Sequence, residues 1–160
     1  LTLMKELGMI PSYFAAHSFF WGDWHRDSVF GLERASRISP TASTVQRNMV
    51  FTIHNDAPIV PPNMLRLLWA TTNRITRSGK VLGAGQRISN YDALLAVTRY
   101  AAYQHFEERD KGTLEVGKLA DFVVLDKDPL SVPSAELLDL KVEMTFSRGK
   151  LVFDRERTVR

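Results

Sequence analysis

Asn48-Met49-Val50-Phe51-Thr52-Ile53-His54-Asn55-Asp56-Ala57-Pro58 is an apolar run that closes on a polar cluster and a proline. Residues 48–53 have the length and side chains of a buried strand. The same pattern occurs upstream, where Met9-Ile10-Pro11-Ser12-Tyr13-Phe14-Ala15-Ala16 follows Gly8 and leads into His17-Ser18-Phe19-Phe20-Trp21-Gly22-Asp23-Trp24-His25. Residues 9–16 read as a second buried strand, and residues 17–25 as an aromatic-rich loop holding two histidines. Two strands that each end in His or Asp clusters suggest a site, since in a parallel barrel side chains from several strand ends meet at one face. Imidazole and carboxylate suit a divalent metal that turns water into a nucleophile near neutral pH. A neighbouring Asp can take the proton of that water and pass it to a leaving group. His-Asn-Asp before proline is equally good turn chemistry. With no HxH and no HExxH in the chain, spacing alone leaves turn and site both open.

Outward from these strands the chain alternates. Leu1 to Gly8 reads as the last turns of a helix capped by Gly8, as if the domain had been cut upstream. Residues 31–47 are polar and mixed, a helix with its connections. After Pro61-Pro62 a helix is expected from the spacing of Leu65, Leu68, Trp69, Thr72 and Ile75, ending at Gly79. Ser89-Asn90-Tyr91-Asp92 has the capping-box form, and Tyr91, Leu94, Leu95, Thr98, Ala101 and Ala102 make one helical stripe behind it. From Lys111 the texture becomes all-β. Phe122-Val123-Val124-Leu125 is a strand, and Val142 to Phe146 and Leu151 to Phe153 form a hairpin around Gly149-Lys150. The expected class is α/β over residues 1–108, followed by a small β segment over 109–160.

Composition bounds the options. The 160 residues are 44% hydrophobic and 24% charged, an ordinary globular balance that excludes disordered and collagen-like chains. No apolar run approaches the ~20 residues of a membrane-spanning helix, so no membrane partner is expected. With 21 basic against 18 acidic residues the net charge is +3, too small to argue for nucleic acid. The absence of cysteine excludes thiolate metal sites and a Cys nucleophile. It agrees with a reducing compartment, and so with the expected cytoplasmic location; the chain opens without an initiator Met, so its lack of a signal pattern does not bear on that expectation.

The residues also resemble a known family. His54-Asn55-Asp56-Ala57-Pro58 at a strand end resembles the His-Ser-Asp-x-Pro segment of the amidohydrolase superfamily. Lys111-Gly112-Thr113-Leu114-Glu115-Val116-Gly117-Lys118-Leu119-Ala120-Asp121-Phe122-Val123-Val124-Leu125-Asp126 is similar to its KGSLExGKxADLVVLD signature, and Val142 to Phe153 to its final hairpin. Ala16-His17-Ser18-Phe19-Phe20-Trp21-Gly22-Asp23 points to the amidohydrolase 3 or YtcJ-like branch, that of the N-substituted formamide deformylases.

The resemblance implies the C-terminal portion of a metal-dependent (β/α)₈ TIM barrel, with the C-terminal strands of a small β-sandwich built from both chain ends. It implies hydrolysis of non-peptide carbon–nitrogen bonds in a small amide-type substrate, with a divalent metal, zinc by preference. Asp56 matches the metal-binding proton shuttle at the end of the eighth barrel strand. His17 looks like the metal-ligating histidine near the sixth-strand position, with His25 as a competitor. His25, His54 and Trp21 are candidate substrate-binding residues. The family's HxH pair, bridging lysine and fifth-strand histidine have no counterparts here, so inactivity of the isolated chain is expected. A barrel needs ~250 residues. A homo-oligomer is left open, and a truncated, non-catalytic structural or binding module is the alternative.

Simpler readings stand beside these. Phe19, Phe20, Trp21 and Trp24 serve equally as packing. Gly112, Gly117 and Lys118 make a turn, His105 sits at a helix end, and Glu107 to Lys111 form a solvated linker. Arg74 and Arg77 are expected to face solvent.

Overall fold

A computed structural model describes residues 1–157. Helix α1 (Thr2–Glu6) buries no side chain and ends before Gly8, which has φ +65°. Lys5 Nζ donates to the Arg47 carbonyl at 2.7 Å and so ties α1 to the second strand's approach. Strands β1 (Ser12–Tyr13) and β2 (Thr52–Ile53) pair in parallel, with Ser12 opposite Thr52 and Tyr13 opposite Ile53. Both apolar runs were expected to be longer strands. Regular pairing covers two residues in each, while Phe51, Ala15 and Ala16 continue the runs as buried core.

Residues 17–25, expected as a loop, are helical instead. Helix α2 (His17–Trp24) passes into a wider turn over His25–Val29, closed by the Phe30 N–H donating to the His25 carbonyl at 2.8 Å. The helical period is hidden because the residues α2 buries are the small Ser18 and Gly22 while its rings lie elsewhere, so no apolar stripe marks the inward face. Tertiary contacts hold it: Phe19 meets Trp69 edge to face at 5.6 Å, and a Cβ at Gly22 would lie 2.8 Å from Thr76 Cγ2. The short helices α3 (Gly31–Ala35) and α4 (Thr41–Val45) complete the return to β2.

Helix α5 (Met64–Asn73) begins where the Asn63 side chain accepts the Arg66 N–H at 2.9 Å. It ends at Arg74 (φ +54°), five residues before the expected Gly79. Ile75 bridges Val81 instead, and Gly79 closes the tight turn of that small hairpin. Arg74 does not face solvent. It is 1% exposed and donates to the carbonyls of Leu82 (2.8 Å), Ile38 (2.8 Å) and Ser39 (3.2 Å). Burial, then the nearby Arg87 charge, push its pKa down to about 10.

Helix α6 (Asn90–Val97) starts at Ser89, whose hydroxyl accepts the Asp92 N–H at 3.0 Å, as the capping pattern predicts. At Thr98 the backbone departs from helical values and α7 (Arg99–Gln104) starts afresh. The buried side chains are Ala93, Ala96 and Ala102, and Tyr91 is 56% exposed. The expected stripe is therefore displaced, because small residues allow the closest approach to α5 and β2.

Strands β3 (Phe122–Leu125), β4 (Val142–Ser147) and β5 (Lys150–Asp154) form an antiparallel sheet in that order. The β4–β5 turn is Arg148-Gly149, both with positive φ, one residue earlier than expected. Phe122 stacks on its register partner Phe146 at 4.6 Å. A short helical turn at Ser134–Leu138 packs on α5, and its Leu137 joins the core of Phe51, Leu67, Leu68 and Trp69. Between α6–α7 and β3 lies an open, largely apolar groove of about 770 Å³. Among the described residues, no helix is long and apolar enough to cross a membrane.

Candidate functional site

Parallel pairing of β1 and β2 sends both strands out at the same end, and the expected site residues follow them. His17 opens α2, four residues after Tyr13; His54 and Asp56 follow Ile53 directly. The His54 N–H donates to the Tyr13 carbonyl at 3.0 Å, which fixes the relative height of the two strand ends. Phe14 lies between the histidines, stacked on His17 at 5.2 Å and on His54 at 5.5 Å.

One and two helical turns along α2, Trp21 and His25 fall on the same face as His17. Their ring centroids are 5.1 and 4.3 Å from that of His17. The structure thus brings together His17, His25, His54 and Trp21. Of these, His25 is only 5% exposed, so little of it can meet a substrate; Trp21 and His54 are half-buried. The Asp56 carboxylate is exposed on a residue with φ +54°, a conformation Asp tolerates better than most. Burial and then the His25 ring depress the His17 pKa, against which the Asp56 charge pulls upward. Burial likewise depresses that of His25. Both imidazoles are therefore inclined to the neutral form that can offer a lone pair. Among the described residues, no group of three His, Asp or Glu side chains is arranged to hold a metal ion.

Three supporting residues were not singled out from sequence. Phe14 read as one apolar residue in a strand, and Phe30, stacked on His25 at 5.1 Å, lay in an undifferentiated stretch. Asp23 lay inside the supposed loop. Its carboxylate accepts from Thr76 Oγ1 (2.8 Å), Ser78 Oγ (2.6 Å) and Ser78 N–H (3.0 Å), and pairs with Arg26 at 3.0 Å. These bonds clamp α2 to the hairpin that follows α5.

The chain is similar to known proteins over nearly all of its length. Over 157 residues the chain is 26% identical to the N-substituted formamide deformylase of Arthrobacter pascens, covering 95% of this chain and 28% of that one. It is 24% identical to the YtcJ amidohydrolase of Bacillus subtilis strain 168, covering 91% and 27%. The chain thus spans little more than a quarter of the length of these relatives. Among solved structures, a metal-dependent hydrolase of Pyrococcus horikoshii superposes with a TM-score of 0.66 at 26% identity, over 81% of this chain and 26% of that one. One from Pyrococcus furiosus gives 0.63 at 26% identity, over 80% and 25%. The sequence profile of the amidohydrolase family matches residues 2–153. With that match spanning nearly all of its length, the chain belongs to the amidohydrolase family, in the branch that holds YtcJ and the formamide deformylase.

Proposed function

We propose that this chain is the C-terminal part of a metal-dependent hydrolase that cleaves non-peptide carbon–nitrogen bonds, of amide or formamide type, with water as the nucleophile. The observation that carries this is the convergence of two parallel strand ends, with His17 after β1, Asp56 after β2 and the Asp56 charge acting on the His17 ring. The kinship with a formamide deformylase and with hydrolases described as metal-dependent supports it.

Two parallel neighbours joined through α2, α3 and α4 suit consecutive strands of a (β/α)₈ barrel. With β2 as its eighth strand, direct pairing makes β1 the seventh, one strand nearer than the sixth-strand position implied for His17. The sheet β3–β4–β5 is then the C-terminal share of a β-sandwich, with the division near residues 108 and 109.

His17 and Asp56 are the donors of this chain that would hold a divalent metal, and zinc accepts this ligand chemistry. His25 turns its Nε2 edge toward His17, so its lone pair does not aim at an ion in front of His17. Two donors are a minority of a metal site, and the remainder comes from elsewhere in the full-length protein. Such a metal, when bound, supplies a water of lowered pKa and polarises the substrate carbonyl. Asp56 would take a proton from the attacking water as the water oxygen bonds to the carbonyl carbon. As the carbon–nitrogen bond breaks, Asp56 returns the proton to the leaving nitrogen. Trp21 and His54 contact the substrate beside it.

Asp56→Asn in the full-length protein keeps the shape of the side chain and removes the base. Turnover of an amide or formamide panel is expected to fall to background; unchanged turnover would sink the assignment.

A further inference from the structure

We propose that His25 is a positioning residue for His17, holding that ring in one orientation with a hydrogen carried on His25 Nε2. The inference deepens the proposed site, since it gives His17 the role of the histidine that meets ligand or substrate.

The contact has an unusual geometry. His25 Nε2 lies 3.2 Å from His17 Nδ1 and also 3.2 Å from His17 Nε2. The ring centroids are 4.3 Å apart and the planes meet at 63°. Equal approach to both nitrogens sets the Nε2 edge of His25 against the face of His17, away from either in-plane lone pair. An aromatic face is electron-rich and an N–H edge electron-poor, so this contact is favourable with hydrogen on Nε2. The opposite nitrogen, His25 Nδ1, is buried without a hydrogen-bond partner among the described residues. A hydrogen there would be an orphaned buried donor, which folded proteins almost never tolerate; an unmatched acceptor is less rare. Two independent features of the ring therefore select one tautomer.

The brace is itself rigid. His25 stacks on Phe30 at 5.1 Å and 17°, rests against Trp24 at 5.2 Å, and is 5% exposed. Its carbonyl closes the wide turn that ends α2. Phe14 stacks on His17 and Trp21 packs beside it, so His25 completes a set of walls around that ring. A histidine that must present one nitrogen in a fixed direction needs such support, because the orientation of the ring sets where the lone pair points.

The test is long-range ¹H–¹⁵N spectroscopy of the imidazole nitrogens in the full chain at mildly alkaline pH. His25 is expected as a single tautomer, hydrogen on Nε2 and Nδ1 bare. His25→Phe should move both ring nitrogens of His17 and mix its tautomers, while His25→Gln, which keeps an N–H donor, should restore most of the native pattern. Hydrogen on His25 Nδ1, an averaged His25, or an unmoved His17 in His25→Phe would overturn the proposal. Should His25→Phe not fold, the wild-type spectrum decides alone. In the full-length protein, His25→Phe is expected to lower kcat about 10–100-fold with KM little changed, and His25→Gln to recover part of the loss. The spectra need no turnover, so failure of the hydrolase assignment at Asp56 and failure of the His25 brace are separate results.

Discussion

At the scale of single residues, the clamp at Asp23 makes the histidine-bearing helix sensitive to acid. Desolvation opposes ionisation of its carboxyl, but bonds from Ser78 and Thr76 and the Arg26 charge outweigh it and lower the pKa to about 2. A carboxylate with a depressed folded-state pKa contributes stability that is present above its unfolded value. That contribution disappears as pH falls from about 4 towards 2. Because the site is partly open to solvent, we expect it to amount to roughly 1 kcal/mol. Asp23→Asn should lose that stability near neutral pH and flatten this part of the acid limb, as followed by denaturant midpoints from pH 7 down to 2. An unchanged acid limb would remove Asp23 from the clamp. Legibility in sequence followed the range of the interaction. Ser89 announced its cap because donor and acceptor are three residues apart. Asp23 bonds residues 53 and 55 positions away, and Arg74 serves carbonyls 35 and 36 positions back, distances at which residue type carries no local signal.

At the scale of elements, the end of β2, the capped start of α6 and the final hairpin could be read because caps, turns and apolar runs are local, whereas the extents of β1, α2 and α5 could not. Helix α2 looked like a loop because the face it buries carries the small Ser18 and Gly22 and no apolar stripe, and α5 was extended past its true end because Arg74 takes a left-handed conformation without being glycine. Two glycines near that end separate backbone strain from close packing. Gly79 has φ +78° with open space around its missing Cβ, whereas Gly83 has φ +70° and a Cβ there would lie 1.9 Å from the Ser36 carbonyl oxygen. Gly79→Ala should cost only the left-handed penalty, about 1–2 kcal/mol. Gly83→Ala must also displace the α3–α4 connection, whose carbonyls Arg74 holds, and should cost at least about 2 kcal/mol more. Thermal or denaturant unfolding of the two variants side by side measures the difference; equal losses would show that the 36–83 contact is not maintained in solution.

At the scale of the whole molecule, the chain forms a real core yet covers little more than a quarter of the relatives it matches. Several of its surfaces suit neighbours from the rest of a longer protein. The groove between α6–α7 and β3 is apolar and open, Val123, Val152 and Phe153 of the small sheet are exposed, and β3 and β5 each pair on one side among the described residues. Unpaired strand edges and apolar patches of this kind favour pairing and packing with a further segment or chain. As the proposed ligands, His17 and Asp56 by themselves would not surround a tetrahedral ion. The isolated 160-residue chain is therefore expected to retain well under one equivalent of zinc after purification and dialysis. It should hydrolyse neither amides nor formamides, and should bind a dye that reports exposed apolar surface. Elemental analysis, a hydrolysis assay with added zinc, and dye fluorescence on one preparation check all three. Stoichiometric zinc together with turnover would mean that donors beyond His17 and Asp56 complete the site within this chain, and would overturn the proposal that they come from elsewhere.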